Sequence, residues 1–222
     1  MTKTSMIAVM AVAAGSAMGQ INTVTETSFS GFGATMPFGT GNQNENYVVT
    51  TNTALNFEIG IKGKERFVGQ LAPTVGNVYT ALPGSPTSNG LSGWNVDFAF
   101  NFFNNDRIDY GVFIDLDFDS GVGSTSFVTV DLGNPLAQGL GVGLNTDSGG
   151  GSQNLGFGFW QLDPNALPFD VNAAGEYELV IRVVDEPGNE VGRATAFVNV
   201  VPTPASAAML GLAGMAAARR RR

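Results

Sequence analysis

The sequence contains no cysteine and no histidine, and each absence excludes a class of function. Without histidine there is no Ser-His-Asp triad, and without cysteine there is no thiol nucleophile, disulfide framework or Cys/His zinc site. Basic residues are also scarce, with 11 Lys or Arg against 19 Asp or Glu and a net charge of −8. Such a chain lacks the basic surface that phosphates require, so we expect no nucleic-acid partner.

The N-terminus has the pattern of a secretory signal peptide. Lys3 precedes the apolar run from Met6 to Ala14, and the small residues Ala17 and Gly19 follow it. This run is too short to span a bilayer core of about 30 Å, and small side chains are what signal peptidase accepts before its cut. We therefore predict a signal helix and signal peptide over residues 1–19, cleavage before Gln20, signal peptidase as a partner, and export.

The C-terminus carries a second short apolar segment. Val201-Pro202-Thr203-Pro204 precedes the uncharged residues Ala205 to Ala218, and four arginines end the sequence. As a helix, the segment from Pro204 to Ala218 would be about 22 Å long, which is shorter than a bilayer core of about 30 Å. The arginines would hold its end on the cytoplasmic side. We predict a short transmembrane helix that tethers the protein to the membrane at least transiently.

The order of Pro-x-Pro, short Ala/Gly/Leu-rich helix and terminal arginines resembles the PEP-CTERM sorting signal of exported bacterial proteins. Residues 201–222 carry the likeness, with Thr203 in place of the Glu of the usual Val-Pro-Glu-Pro core. The resemblance implies an exosortase-type membrane processing enzyme as a partner and a sorting motif made of Pro202, Pro204, Arg219, Arg220, Arg221 and Arg222. That family is associated with bacteria that make exopolysaccharide and biofilm. It implies a final location at the cell surface or outside the cell, with exopolysaccharide as a further partner.

The body between the two signals, residues 20–200, has the residue pattern of one β domain. It carries six Lys or Arg and all 19 Asp or Glu, a net charge of −13. Apolar and polar residues alternate in Trp94 to Phe103 and in Tyr110 to Phe118, which predicts two strands joined as a hairpin. Further strands are predicted at residues 47–51, 55–62, 126–132, 155–162, 176–184 and 193–200, the last two forming a closing hairpin. We predict an all-β fold, a single antiparallel β-sandwich that is immunoglobulin-like or a jelly-roll, with glycine-rich loops at 31–41 and 133–158.

Three acids in Asp115-Leu-Asp117-Phe-Asp119-Ser-Gly121 form the most suggestive local motif. Carboxylate oxygens are the ligands that calcium prefers, which makes Asp115, Asp117 and Asp119 candidate metal ligands and calcium the candidate cofactor. Two alternatives stay open. The acids could lie on the solvent face of a strand, or Asp115 and Asp117 could act as a glycosidase pair.

Aromatic and basic side chains offer two further candidate contacts. Trp94 lies on the apolar face of its predicted strand and is expected in the core, whereas Trp160 is out of phase with its apolar neighbours and is a candidate sugar contact. Lys62, Lys64 and Arg66 follow an apolar strand. They are expected to continue it as a solvated face, with contact to an anionic polysaccharide as the alternative.

These observations together predict an exported protein that is not an enzyme. We expect a non-catalytic component of the cell surface or extracellular matrix, sorted by its C-terminal signal. The alternative is a carbohydrate-binding or calcium-assisted adhesive module.

Overall fold

A computed structural model describes residues 46–67, 69–71, 73–86, 90–103, 109–123, 127–133, 147–157 and 168–202. Within these ranges the chain forms eleven strands and no α-helix. In chain order they are β1 (Val48–Asn52), β2 (Phe57–Glu65), β3 (Gly69–Gln70), β4 (Pro73–Val75), β5 (Val78–Ala81), β6 (Trp94–Phe102), β7 (Tyr110–Asp117), β8 (Phe127–Asp131), β9 (Ser148–Gln153), β10 (Gly175–Asp185) and β11 (Glu190–Val200).

The described strands form two sheets. Sheet A has the order β1-β2-β6-β9, and β3 pairs with the end of β2 as its fifth strand. Sheet B has the order β4-β5-β11-β10-β7-β8. The all-β prediction is confirmed. Every pair is antiparallel except β5 with β11, which run parallel, so the arrangement is not purely antiparallel as expected.

One apolar core forms where alternate side chains of the two sheets meet. Because successive side chains of a strand point to opposite faces, every second residue of a strand enters this core. Trp94 does so as predicted, with 1% of its surface exposed. Its ring contacts Phe169 edge-on, with centroids 5.9 Å apart, and lies 5.5 Å from that of Tyr177.

Two glycines lie where β2 and β11 pack closely against each other. A Cβ on Gly192 of β11 would lie 2.7 Å from two ring carbons of Phe57 in β2. A Cβ on Gly63 of β2 would lie 2.8 Å from Cγ2 of Val198 in β11. Neither position has room for a side chain without displacing a buried neighbour, so glycine allows β2 and β11 to cross at short range.

The predicted hairpin between Trp94 to Phe103 and Tyr110 to Phe118 is wrong. β6 pairs with β2 and β9 in sheet A, whereas β7 pairs with β10 and β8 in sheet B. The alternation of apolar residues gives the buried face of each strand but carries no information about its partner. The predicted closing hairpin is confirmed, since β10 and β11 pair along almost their whole length, with a register shift after Val183.

The expectation of an irregular glycine-rich loop over 133–158 is also wrong in part. Residues 148–153, which include three consecutive glycines, form β9 at the edge of sheet A. Gly149 pairs with Phe100 and Gly151 pairs with Phe98, so each of these glycines lies opposite a large ring. The predicted strand at 155–162 is not formed by its described residues, 155–157, and the rest of that prediction lies outside the described residues.

Candidate functional site

The outer face of sheet B carries the first of the three predicted calcium ligands. Asp115 lies in β7, and its Oδ2 accepts a hydrogen bond of 2.6 Å from Nε of Arg182 in β10. Its Oδ1 accepts hydrogen bonds from Nη2 of Arg182 at 3.3 Å and from the Thr129 hydroxyl at 2.6 Å. Arg182 also lies over the Phe113 ring, 4.7 Å from the centroid. The negative charge of Asp115 is therefore balanced by Arg182 within the sheet.

The other two predicted ligands shape the turn that follows β7. Oδ1 of Asp117 accepts from the backbone N–H of Asp119 at 2.9 Å, and Oδ1 of Asp119 accepts from the N–H of Gly121 at 2.9 Å. In each case the carboxylate accepts from the backbone N–H two residues later, which is a common hydrogen bond in turns. Asp117 is 2% exposed.

Further acids on β10 add to the negative charge near this turn. Burial raises the pKa of Glu178, and the charges of Asp117, Glu176 and Asp115 raise it further against the lowering effect of Arg193. Burial raises the pKa of Tyr177 to about 12, with the charge of Asp170 as the next cause. The negative charges of these acids repel one another, and a bound cation would reduce that repulsion.

The described residues do not gather three acids into a group that could hold a metal ion. The three predicted ligands are thus not brought together, because Asp115 is engaged by Arg182 and the other two by their own turn. Calcium binding stays a prediction. A rise in melting temperature with calcium, lost in Asp117→Asn, would support it.

A second group of charged side chains lies on the outer face of sheet A. Lys62 of β2 pairs directly with Asp97 of β6, and its Nζ is 3.8 Å from Oδ2 of that carboxylate. Nζ of Lys64 is 4.0 Å from the same oxygen. Lys62 also lies over the ring of Tyr47, with Nζ 4.1 Å from the centroid. Both Lys62 and Asp97 are fully buried, so the expectation that Lys62 belongs to a solvated face is wrong.

The Asp97 carboxyl titrates far from its ordinary range because of this burial. Burial raises its pKa from 3.8 to about 6, and the nearby Ser152, Lys62 and Lys64 oppose that rise. Neither carboxylate oxygen has a partner at full hydrogen-bonding geometry in the described structure, although the Ser152 hydroxyl, which accepts from the amide of Asn95, is close enough to lower the pKa of Asp97. Asp97 is thus a buried carboxyl group whose pKa of about 6 lies close to neutral pH. In the sequence, Asp97 is only one Asp in an alternating strand, with no pattern that predicts its burial.

Several predicted site residues lie outside the described residues. These are Trp160, Pro204 and the arginines Arg219, Arg220, Arg221 and Arg222. Pro202 is described and exposed, two residues after the end of β11. Across the described ranges, no helix has the length and apolar character needed to cross a membrane.

Comparison with protein-family models gives no match, and no curated protein matches the sequence. Among solved structures, the crystal structure of the PmoD soluble domain from Methylocystis sp. ATCC 49242 (Rockwell) matches with a TM-score of 0.33 and 9% identity. The match covers 69% of this chain and 96% of that one. At that TM-score the likeness supports no conclusion about this chain.

Proposed function

We propose that this protein is an exported, non-catalytic component of the cell surface or extracellular matrix, sorted by a PEP-CTERM-like C-terminal signal. The observation that carries the proposal is the pair of terminal segments in one sequence. An N-terminal signal peptide pattern and a C-terminal Pro-x-Pro, short apolar stretch and arginine cluster flank a body with a net charge of −13.

In this proposal the signal peptide has one task and the C-terminal segment has three. The signal peptide directs export, and the apolar stretch holds the chain in the membrane. The arginines fix its orientation, because cationic residues favour the cytoplasmic side. The motif from Pro202 to Pro204 marks the site at which an exosortase-type enzyme processes the chain. Release or transfer then leaves the body at the surface or in an exopolysaccharide matrix.

The body, residues 20–200, is proposed to be one β-sandwich of the immunoglobulin-like or jelly-roll kind. Two sheets that share a single apolar core support this assignment. Its acidic surface favours a soluble domain that stays clear of anionic lipid.

The environment of the acids supports a non-catalytic role. A glycosidase pair needs one acid that holds its proton and another that is ionised and faces the substrate. In the predicted pair, Asp115 binds Arg182 and Thr129, and Asp117 accepts a backbone N–H of its own turn. These contacts suit residues that hold strand and turn together.

The proposal is tested by intact mass and terminal peptide mapping on protein from its native host, with membrane, surface and medium fractions measured separately. We expect surface or medium chains that begin at Gln20 and end between Pro202 and Pro204. Chains that end at Arg222 and occur only in the membrane would make the tail a permanent anchor and overturn the sorting assignment.

Variants of the C-terminal arginines test whether their positive charge or their identity as arginine is needed for processing. Replacing Arg219 to Arg222 with Gln should disturb retention or processing, whereas the matched replacement with Lys keeps the charge and should be processed normally. Unchanged fractions and termini in the Gln variant would count against the proposed role of the arginines.

A further inference from the structure

Arg66 differs from the other basic side chains that the structure describes. Those other four each approach a carboxylate: Lys62 and Lys64 approach Asp97, Arg182 binds Asp115, and Arg193 binds Glu190. Within the described residues, no carboxylate lies within ion-pairing distance of Arg66, and its Nη1 is buried without a hydrogen-bond partner. Leaving a buried charged donor unpaired is costly, and in a body with 19 acids it is unexpected.

Arg66 is one of the residues that line a pocket of about 260 Å³. Its other walls are formed by Glu65, by the segment 81–86 and by Gly93. Known sites for drug-sized ligands enclose about 300 to 1,000 Å³, so this pocket suits a single small ring.

Backbone hydrogen bonds fix the walls of the pocket. The N–H of Arg66 donates to the carbonyl of Gly93 at 2.8 Å, and the N–H of Gly93 donates to the carbonyl of Gly84 at 3.0 Å. Gly84 in turn donates to the carbonyl of Val171 at 2.7 Å. This chain of contacts holds the end of β2, the loop after β5 and the start of β6 together, so the pocket is formed before any ligand arrives.

Two large apolar side chains are exposed here, one beside the guanidinium of Arg66 and one in the pocket wall. Phe67 is 75% exposed, and its ring centroid lies 4.6 Å from Cζ of Arg66. Its φ of 66° is in the left-handed region, which phenylalanine rarely adopts. Leu82, which lines the pocket, is 49% exposed. Residues with such a backbone conformation cluster at functional sites, and this one presents an aromatic ring to solvent beside a cation that has no carboxylate partner among the described residues.

We propose that the Arg66 pocket binds an acidic sugar residue, such as the uronate unit of an anionic polysaccharide. The planar guanidinium matches a carboxylate in geometry and charge, and apolar side chains pack against the C–H face of a sugar ring. Glu65 supplies carboxylate oxygens that accept hydrogen bonds from ring hydroxyls. The inference rests on the proposed function, since a protein meets such a polysaccharide outside the cell.

The test uses the mature protein from its host and trigalacturonate as the probe, with binding measured by calorimetry. Three comparison ligands separate the contributions: neutral galactotriose lacks the carboxylates, acetate lacks the ring, and triglutamate carries carboxylates on a peptide. We expect trigalacturonate to bind at least about tenfold more tightly than each of the three. No binding of trigalacturonate, or binding of triglutamate at equal or greater affinity, would overturn the proposal.

Variants locate the binding. Arg66→Gln should weaken trigalacturonate binding at least about tenfold, and Arg66→Lys should restore part of it because the charge returns without the guanidinium fork. Phe67→Asn should weaken binding while tolerating the left-handed backbone, which asparagine adopts more readily. The matched control is Arg193→Gln, an exposed arginine whose ion pair lies elsewhere on the surface.

Melting temperatures of all variants establish that each is folded. Wild-type affinity in folded Arg66→Gln would refute the assignment of the site. If peptide mapping finds processed chains at the surface but trigalacturonate does not bind, this inference alone fails and the proposed function stands.

Discussion

Arg182 and Asp115 meet across the neighbouring strands β10 and β7, with Nε of the guanidinium 2.6 Å from Oδ2 of the carboxylate. Both side chains are largely enclosed, at 24% and 10% exposed. The Thr129 hydroxyl of β8 donates to the same carboxylate, so one acid links three strands on the outer face of sheet B. Asp115, which the sequence pattern predicts as a metal ligand, thus connects neighbouring strands.

Asp115→Ala should lower the free energy of unfolding by about 2–3 kcal/mol, because it leaves the largely enclosed guanidinium of Arg182 without its charged partner. Urea unfolding measures the change. The matched control is Glu190→Ala, which breaks the exposed pair with Arg193 and should cost less than about 1 kcal/mol. Equal effects of the two substitutions would show that burial does not strengthen the Asp115 pair.

The Asp97 carboxyl should make stability depend on pH. Its pKa is about 6 in the folded state against an ordinary value of 3.8, so the folded chain holds this proton more tightly than the unfolded chain. The stability due to Asp97 is therefore fully present below pH 3.8 and is lost as pH rises to about 6, above which it is constant. Relative to Asp97→Asn, the wild type should lose on the order of 2–3 kcal/mol across this window.

Urea unfolding of both proteins from pH 4 to pH 8 tests that dependence. Lys64→Gln serves as a companion variant, because Lys64 lowers the pKa of Asp97 from 4.0 Å away. Removal of the Lys64 charge should raise the pKa of Asp97 further, so the fall in stability should extend to higher pH. Parallel curves for the wild type and Asp97→Asn would contradict the raised pKa.

The strands in which apolar and polar residues alternate strongly could be predicted from the sequence, because burial of one face in the core causes that alternation. In β6, β7, β10 and β11 every second residue enters the shared core, so the sequence records which face is buried. Strand partners were not predictable in the same way. β6 and β7 follow one another in the chain, yet each pairs with strands distant in sequence, and side-chain alternation is the same for either pairing.

The structure differs from the prediction at charged and glycine-rich positions for a related reason. Lys62 is on the face of β2 opposite the core, and alternation predicts that such a face is solvated. Only the structure reveals that Lys62 is fully buried beside Asp97. The glycines of β9 disfavour a strand by their intrinsic propensity, but their pairing with Phe98 and Phe100 overrides it. For Arg66, the sequence shows the cation, but only the structure shows that no carboxylate of the described residues lies within ion-pairing distance of it.

Gly192→Ala should destabilise the domain by about 1–3 kcal/mol, because its new methyl group would lie 2.7 Å from the buried ring of Phe57. Chemical denaturation of this variant is compared with Gly93→Ala, where the nearest atom to an added Cβ is 3.5 Å away, an ordinary contact. Gly93→Ala should cost much less. A similar loss at both positions would show that the close approach of β2 and β11 does not require a glycine.

The side chain of Asn154, fully buried after β9, connects that strand to the start of β6. Its Nδ2 contacts the carbonyls of Ser92 and Trp94 at 2.9 and 3.0 Å, and its Oδ1 accepts from the N–H groups of Ser92 and Gly156 at 3.0 Å each. The amide thus satisfies donors and acceptors of two segments that are about sixty residues apart in sequence.

Two substitutions of Asn154 should separate the role of its Nδ2 donor from that of its Oδ1 acceptor. Asn154→Asp keeps one accepting oxygen but replaces the Nδ2 donor with a carboxylate oxygen that faces the carbonyls of Ser92 and Trp94 and the Oδ1 of Asn95, so we expect a loss of at least about 3 kcal/mol. Asn154→Ala leaves the backbone partners unsatisfied without burying a charge and should cost less, about 1–3 kcal/mol. Urea unfolding gives both values, and hydrogen exchange at the N–H of Gly156 distinguishes them, because this amide should exchange faster only in the alanine variant. Faster exchange in both variants would mean that the Nδ2 contacts, rather than the acceptor, hold the segment in place.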